Sequence, residues 1–101
     1  MNFLFEADVV EWRGPAPFVF AVIPPDESAE IKLVSNRVTY GWGCIPVVAT
    51  IGSTTYTTSL FPRGDVYYLP VKVKVQRAEG ISVGDHVQVQ MEFGTASGKP
   101  I

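Results

Sequence analysis

Short runs of β-branched and aromatic residues, separated by glycine and proline, are the feature that most constrains how this chain folds. Six such runs occupy residues 3–12, 18–23, 44–51, 54–61, 66–69 and 87–93. Several alternate apolar and polar residues, which is the period of a strand with one buried face. Closely spaced short strands bounded by turn residues are typical of an all-β domain. The 101 residues are enough for one such domain, which we place at 1–93, followed by a disordered tail at 94–101.

Turn residues predict which strands are neighbours. The sequence Arg13-Gly14-Pro15-Ala16-Pro17 joins the first two strands in a hairpin, and Gly52-Ser53 joins the third and fourth. The fourth and fifth strands are connected by the turn sequence Pro62-Arg63-Gly64-Asp65. Pro46 lies inside the third strand, which indicates an edge strand or a bulge there.

Two segments between strands have helical features. Three carboxylates follow Pro24-Pro25 and complement the positive end of a helix over 25–34, which a loop over 35–43 follows. Residues 71–79 are ambiguous on local pattern. Their valines alternate with polar residues as in a strand, yet apolar positions also recur along one helical face that ends at Gly80.

A weak internal repeat relates residues 18–24 to residues 66–70. Each is a strand that ends in proline and is followed by a short helical stretch, a glycine-bearing turn and another strand. Two interleaved halves of this kind close a small barrel with few free strand edges. The predicted fold is therefore all-β with one or two short helices, a small barrel of about six strands with an internal pseudo-repeat.

Titratable and nucleophilic residues give little support to catalysis. A single cysteine, Cys44, and a single histidine, His86, cannot supply a zinc site of nitrogen and sulfur ligands within one chain. The hydroxyl run 57–59 suits a strand, and Asp65 and Asp85 follow turn glycines, where carboxylates cap backbone amides. We expect a non-enzymatic domain with no cofactor and no metal.

The hydrophobic segments do not indicate a membrane protein. The longest apolar stretches, 18–25 and 44–51, are far shorter than the roughly 20 residues that cross a bilayer. The apolar N-terminal segment has no basic leader and is interrupted by Glu6, Asp8 and Glu11, unlike a signal peptide. We expect a cytoplasmic protein.

Charge is unevenly distributed along a chain whose net charge is −2. Residues 1–30 carry −5 and residues 31–101 carry +3. Four cations fall within the stretch 63–77, namely Arg63, Lys72, Lys74 and Arg77. Such a cluster could form a basic face for a phosphate or carboxylate, the alternative being an ordinary solvated surface.

Three stretches carry a family likeness: residues 41–47 (GWGCIPV), residues 57–62 (TTSLFP), and residues 69–85, which begin with LPVK and end with GD. Together they resemble the bacterial domain of unknown function nineteen-oh-five, often found beside a YdeI/OmpD-associated domain. The likeness covers about residues 2–93. It implies a double-split β-barrel related to the AbrB and MraZ transcription regulators, with 71–79 helical. The family has no established catalytic residues, so the likeness implies a fold and hardly any function.

The sequence leaves more than one binding function open. We favour a small anionic ligand or peptide, with Trp42, Tyr67 and Tyr68 as flat apolar walls and Arg63 and Lys72 as anchors for the anion. The alternative is AbrB-like nucleic-acid binding through the four basic residues of 63–77, which the acidic net charge disfavours. Self-association through an exposed Trp42 would require no ligand.

Overall fold

A computed structural model describes residues 2–12, 18–38 and 44–94, with residues 36–38 described by their backbone alone. The elements are β1 (Asn2–Trp12), β2 (Phe18–Val22), α1 (Pro25–Val38), β3 (Ile45–Ile51), β4 (Thr54–Arg63), β5 (Val66–Pro70), α2 (Val73–Glu79) and β6 (His86–Phe93). Neither helix is both long enough and apolar enough to cross a bilayer, within the part of the chain described. The disordered tail was predicted over 94–101. Gly94 donates its amide to the carbonyl of Pro46 at 2.8 Å, and residues 95–101 lie outside the described residues.

The six strands form a closed antiparallel barrel in the order β1, β2, β5, β4, β3, β6. Alternate residues of each strand point inward, so β1 buries Phe3, Phe5, Ala7 and Val9 while the residues between them face outward. The inward residues of the other strands complete one apolar core, which Ile31 of α1 and Val75 of α2 join. The predicted all-β barrel of six strands with two short helices is confirmed.

The strand pairings obey the predicted internal repeat. One half consists of β1, β2, α1 and β3, and the other of β4, β5, α2 and β6. If each element of one half is replaced by the corresponding element of the other, the list of paired strands stays the same. Ala21 pairs with Leu69 at the centre, and two equivalent bonds flank that pair. The amide of Ile23 donates to the carbonyl of Tyr67 at 3.0 Å, and the amide of Val71 donates to the carbonyl of Val19 at 2.9 Å. The barrel is therefore built from two interleaved halves around a pseudo-twofold axis.

Three local predictions need correction. Helix α1 continues to Val38, so residues 35–38 are helical and not part of a loop as predicted, because none of them stops a helix as proline or glycine would. Residues 39–43 of that predicted loop lie outside the described residues. Pro46 is not in an edge strand, since β3 lies between β4 and β6. Pro46 lies outside the residues of β3 that are in register with β6, so the N–H group that proline lacks removes no hydrogen bond between these two strands. The turn before β5 is only Gly64-Asp65, because β4 continues through Arg63.

The ambiguous segment is helical, as the family likeness implied, although α2 begins at Val73 rather than at residue 71. The amide hydrogen bond of Val71 extends the pairing of β2 with β5, and the Val71 side chain is buried. The helix therefore begins only after this residue. Gly80 ends α2 in the left-handed conformation at φ 63°, and Ile81 donates its amide to the carbonyl of Gln76 at 2.9 Å.

Candidate functional site

An apolar groove of about 930 Å³ opens on the outside of the barrel, where β1, β2, β4 and β5 meet α2. Five aromatic side chains line it, and we call this set the aromatic groove: Trp12, Phe18, Phe20, Phe61 and Tyr68. Of the ten remaining lining residues five are valine or proline, and the five polar ones are Glu11, Thr58, Arg63, Lys72 and Gln76. The volume falls within the roughly 300–1,000 Å³ typical of small-molecule sites.

Strand alternation places these rings outside the barrel. In β2 the inward positions are taken by Val19 and Ala21, which leaves Phe18 and Phe20 on the outer face. Register then brings the other rings beside them: Trp12 is opposite Phe18, and Phe61 is opposite Tyr68. Cross-strand neighbours of this kind lie close enough for large side chains to touch.

The five rings form a connected chain of contacts. The ring centroids of Trp12 and Phe18 are 6.4 Å apart, and those of Phe18 and Phe20 are 6.2 Å apart. Phe20 lies 5.4 Å from Tyr68 and 6.4 Å from Phe61, and the Phe61 ring is nearly perpendicular to it at 87°. These separations are those of interacting aromatic pairs, so the rings hold one another in place.

Exposure separates this cluster from an ordinary part of the core. Seven large hydrophobic side chains are exposed among the described residues, and four of them line the groove. These four are Trp12 at 41 %, Phe18 at 52 %, Phe61 at 45 % and Val73 at 59 %. Single exposed apolar residues are common on protein surfaces, whereas a contiguous exposed group of this kind is unusual.

The two halves of the barrel differ beside the groove. Ser28 of α1 and Gln76 of α2 each donate to the carbonyl five residues earlier, at 3.1 Å to Ile23 and at 2.8 Å to Val71. The Ser28 hydroxyl also accepts the amide of Tyr67 at 3.1 Å, which ties α1 to β5. Gln76, in contrast, is half-buried and lines the groove. The groove therefore lies on the α2 side of the pseudo-twofold axis.

Two cations stand at the groove. The Arg63 guanidinium lies over the ring of Tyr68, 5.7 Å from its centroid, and Lys72 precedes α2 as its N-cap residue. Both side chains are exposed and line the groove, together with the carboxylate of Glu11. Lys74 and Arg77 are exposed on α2 but are not among the groove residues.

The residues predicted from sequence are distributed as follows. Arg63, Lys72 and Tyr68 meet at the groove. Tyr67 points into the barrel with 8 % of its surface exposed, so it belongs to the core rather than to a pocket wall. Trp42 lies outside the described residues.

Sequence reasoning missed Trp12, Phe18, Phe20 and Phe61, which were counted only as strand residues. The sequence did contain a signal for these exposed rings, because every strand of a barrel has one face that points outward. In a run such as 18–23, whose residues are all apolar, alternate side chains must therefore leave the core.

Other polar clusters on the barrel have structural explanations. His86 is exposed and its Nδ1 lies 2.5 Å from a carboxylate oxygen of Asp8. Asp85 accepts the amide of Ser82 at 2.8 Å, which confirms its predicted turn-capping role. Glu79 accepts hydrogen bonds from the hydroxyls of Ser53 and Thr54 and so joins the end of α2 to the β3 to β4 turn. No group of three or more His, Cys, Asp or Glu side chains in the described ranges could hold a metal ion.

Comparison with known proteins establishes the family. No curated protein matches this chain. One family, described as a domain of unknown function (DUF1905), matches residues 5–91, from within β1 to within β6, including every element between them. The closed barrel of two interleaved halves, with an aromatic groove on its outer face, is therefore a member of the DUF1905 family.

Proposed function

We propose that this domain is a non-enzymatic binding module whose aromatic groove holds a small ligand with an apolar body and an anionic group. The observation that carries the proposal is the clustering of exposed aromatic rings with Arg63 and Lys72 at one concave surface. Apolar walls supply most of the binding free energy of such sites, and a few placed polar groups fix the ligand's orientation.

The cations give the groove its preference for an anion. Arg63 keeps its guanidinium beside the groove through its contact with Tyr68, and a guanidinium binds a carboxylate or phosphate through two parallel hydrogen bonds. Lys72, which lies between the end of β5 and the start of α2, supplies a second positive charge. Glu11 is the single carboxylate among the described lining residues, so the formal charge of the lining is +1.

A matched pair of double variants tests this proposal. Arg63→Gln with Lys72→Gln removes both groove cations, and Lys74→Gln with Arg77→Gln removes two exposed cations outside the groove. The net charge changes equally in both proteins. Titrated with the fluorescent anion 1-anilinonaphthalene-8-sulfonate, the first variant should bind about tenfold more weakly than the parent, since two solvent-exposed ionic contacts of about 0.7 kcal/mol each are lost. The second should change less than about twofold. Equal weakening in the two variants would contradict a ligand site at the groove.

The second candidate is a single-stranded nucleic acid, favoured by the exposed Lys74 and Arg77 on the helix that borders the aromatic rings. Stacking surfaces flanked by cations are how such strands are bound without sequence preference. This candidate predicts that both double variants weaken binding of a short oligonucleotide, and that binding falls steeply with added salt. The net charge of −2 argues for the small ligand. The AbrB likeness in the sequence remains a prediction.

Native mass spectrometry of protein purified gently from its own host complements the titration. We expect a retained small adduct in the parent and in the Lys74→Gln, Arg77→Gln control, and its loss in the Arg63→Gln, Lys72→Gln variant. A mass that survives the loss of both groove cations would place the ligand elsewhere on the barrel.

A further inference from the structure

The inner part of the groove is a corner made by two rings at right angles. Phe20 is half-buried, and Phe61 stands at 87° to it with a centroid separation of 6.4 Å. Phe61 keeps 45 % of its surface exposed, so it forms the open wall beside Phe20. Tyr68 adjoins Phe20 at 5.4 Å and an interplanar angle of 51°. The corner is therefore defined by aromatic faces and edges on more than one side.

This geometry distinguishes a flat aromatic ring from an aliphatic group of equal size. Aromatic pairs favour offset stacking or an edge-to-face contact, with centroids roughly 4.5–7 Å apart. A planar ring lying parallel to Phe20 can make an offset-stacking contact with it. The same ring is then perpendicular to Phe61 and can make an edge-to-face contact there. A saturated ring buries a similar apolar area but gains neither contact.

The anionic group has a fixed partner close to this corner. The Arg63 guanidinium lies 5.7 Å from the Tyr68 centroid, and the Tyr68 ring touches Phe20. A guanidinium carries five N–H donors, which can bind a carboxylate or phosphate through two parallel hydrogen bonds. The guanidinium and the Phe20 ring are therefore no more than about 11 Å apart, because both lie within about 6 Å of the Tyr68 ring.

We infer that the aromatic groove selects a planar aromatic anion, with its ring in the corner between Phe20 and Phe61 and its anionic group on Arg63. This inference rests on the proposed function and narrows its ligand class. The anion is a carboxylate on a carbocyclic ring or a phosphate joined through a sugar to a heteroaromatic ring, since both combine a flat ring with an anionic group.

Calorimetric titration with matched probes tests the selection. The first pair is 2-naphthoate and decahydro-2-naphthoate, which share charge and carbon skeleton and differ in planarity. We expect the planar acid to bind about tenfold more tightly, because two aromatic contacts are gained. The second pair is adenosine 5′-monophosphate and ribose 5-phosphate, which separates a heteroaromatic phosphate from a phosphate alone. Tighter binding of the nucleotide than of 2-naphthoate assigns the phosphate source, and the reverse order assigns the carboxylate.

Substitutions connect the selection to the corner. Phe61→Leu keeps an apolar side chain at an exposed position and should reduce the preference for 2-naphthoate over its saturated analogue to less than about threefold. Leu33→Ala, which truncates an exposed apolar residue on α1 away from the groove, should leave the preference unchanged. Ring protons of bound 2-naphthoate should also shift upfield in the parent spectrum.

The outcomes separate this inference from the proposed function. Equal affinity for the planar and saturated acids, with both lost in Arg63→Gln, overturns the aromatic selection and keeps the anion site. Absence of binding by every anion up to roughly 10 mM, or binding that Arg63→Gln leaves unchanged, overturns both.

Discussion

Replacement of Ser28 by alanine tests how the two halves of the barrel are locked together. Ser28 is 1 % exposed, and its hydroxyl donates to the carbonyl of Ile23 and accepts the amide of Tyr67, both at 3.1 Å. Without the hydroxyl the Tyr67 amide is buried and unpaired, which costs about 1–3 kcal/mol, and the bond to Ile23 contributes about 1 kcal/mol more. Alanine's better helix propensity returns about 0.5 kcal/mol.

The free energy of unfolding should therefore fall by about 2.5 kcal/mol, which corresponds to a drop in Tm of roughly 12 °C for a domain of this size. Urea unfolding at neutral pH measures the first quantity and calorimetry the second. Ser35→Ala is the control, because the Ser35 hydroxyl bonds to the carbonyl of Lys32 in the same helix at 2.9 Å but in an exposed position. That control should change the free energy of unfolding by less than about 0.5 kcal/mol. If the two variants unfold at the same urea concentration, the buried hydroxyl does not tie α1 to β5.

Three further substitutions probe other parts of the fold. Gly52→Ala should destabilise the protein more than Gly64→Ala in chemical unfolding. Both glycines have φ near +60°, but a Cβ added at Gly52 would clash with the Glu79 carboxylate, whereas a Cβ added at Gly64 would meet no atom within 4 Å. The extra cost should be about 1 kcal/mol, and Glu79→Ala should abolish the difference. Burial raises the pKa of the Tyr56 phenol, so the folded state keeps its proton while the unfolded state loses it. The free energy of unfolding should therefore decline as pH rises above about 10, and Tyr56→Phe should reduce that slope in urea titrations at several alkaline pH values. Leu69→Ala, at a fully buried position on the pseudo-twofold axis, should cost about 2–5 kcal/mol, and an intact Tm would contradict its place in the core.

Much of the architecture was predictable because the strands are short and their turns are chemically explicit. Gly52-Ser53 predicted the hairpin of β3 and β4, and the alternation of apolar and polar residues over 87–93 predicted β6. Helix α2 could not be assigned from local pattern, since the spacing of its valines fits both the two-residue period of a strand and the period of a helix. Its position was decided by Val71, whose amide is used by the β2 and β5 pairing and thereby delays the start of the helix. That bond joins residues distant in sequence, which local pattern does not show.

The site was only partly predictable. Arg63 and Lys72 were predicted because four cations fall within the stretch 63–77 of a chain with few charges, and both line the groove. Tyr67 and Tyr68 are adjacent, so one must face the core and the other the groove, and the phase of β5 makes Tyr67 the buried one. Phe18 and Phe61 were missed because apolar residues in strands are first counted as core. Their exposure depends on which strands lie beside them, and that follows from barrel closure rather than from composition.

The interleaving of the two halves has a consequence for how the chain folds during synthesis. β6 is the last strand to be made among those described, yet it supplies a neighbour to both β1 and β3. Until β6 leaves the ribosome those two strands have open edges and exposed apolar faces, which invite pairing with other chains. Three of the six pairings, namely β1 with β6, β2 with β5 and β3 with β6, also join residues far apart in sequence, which slows folding. The barrel therefore completes its fold only after β6 has emerged, and its yield in the cell depends on protection of β1 and β3 until then.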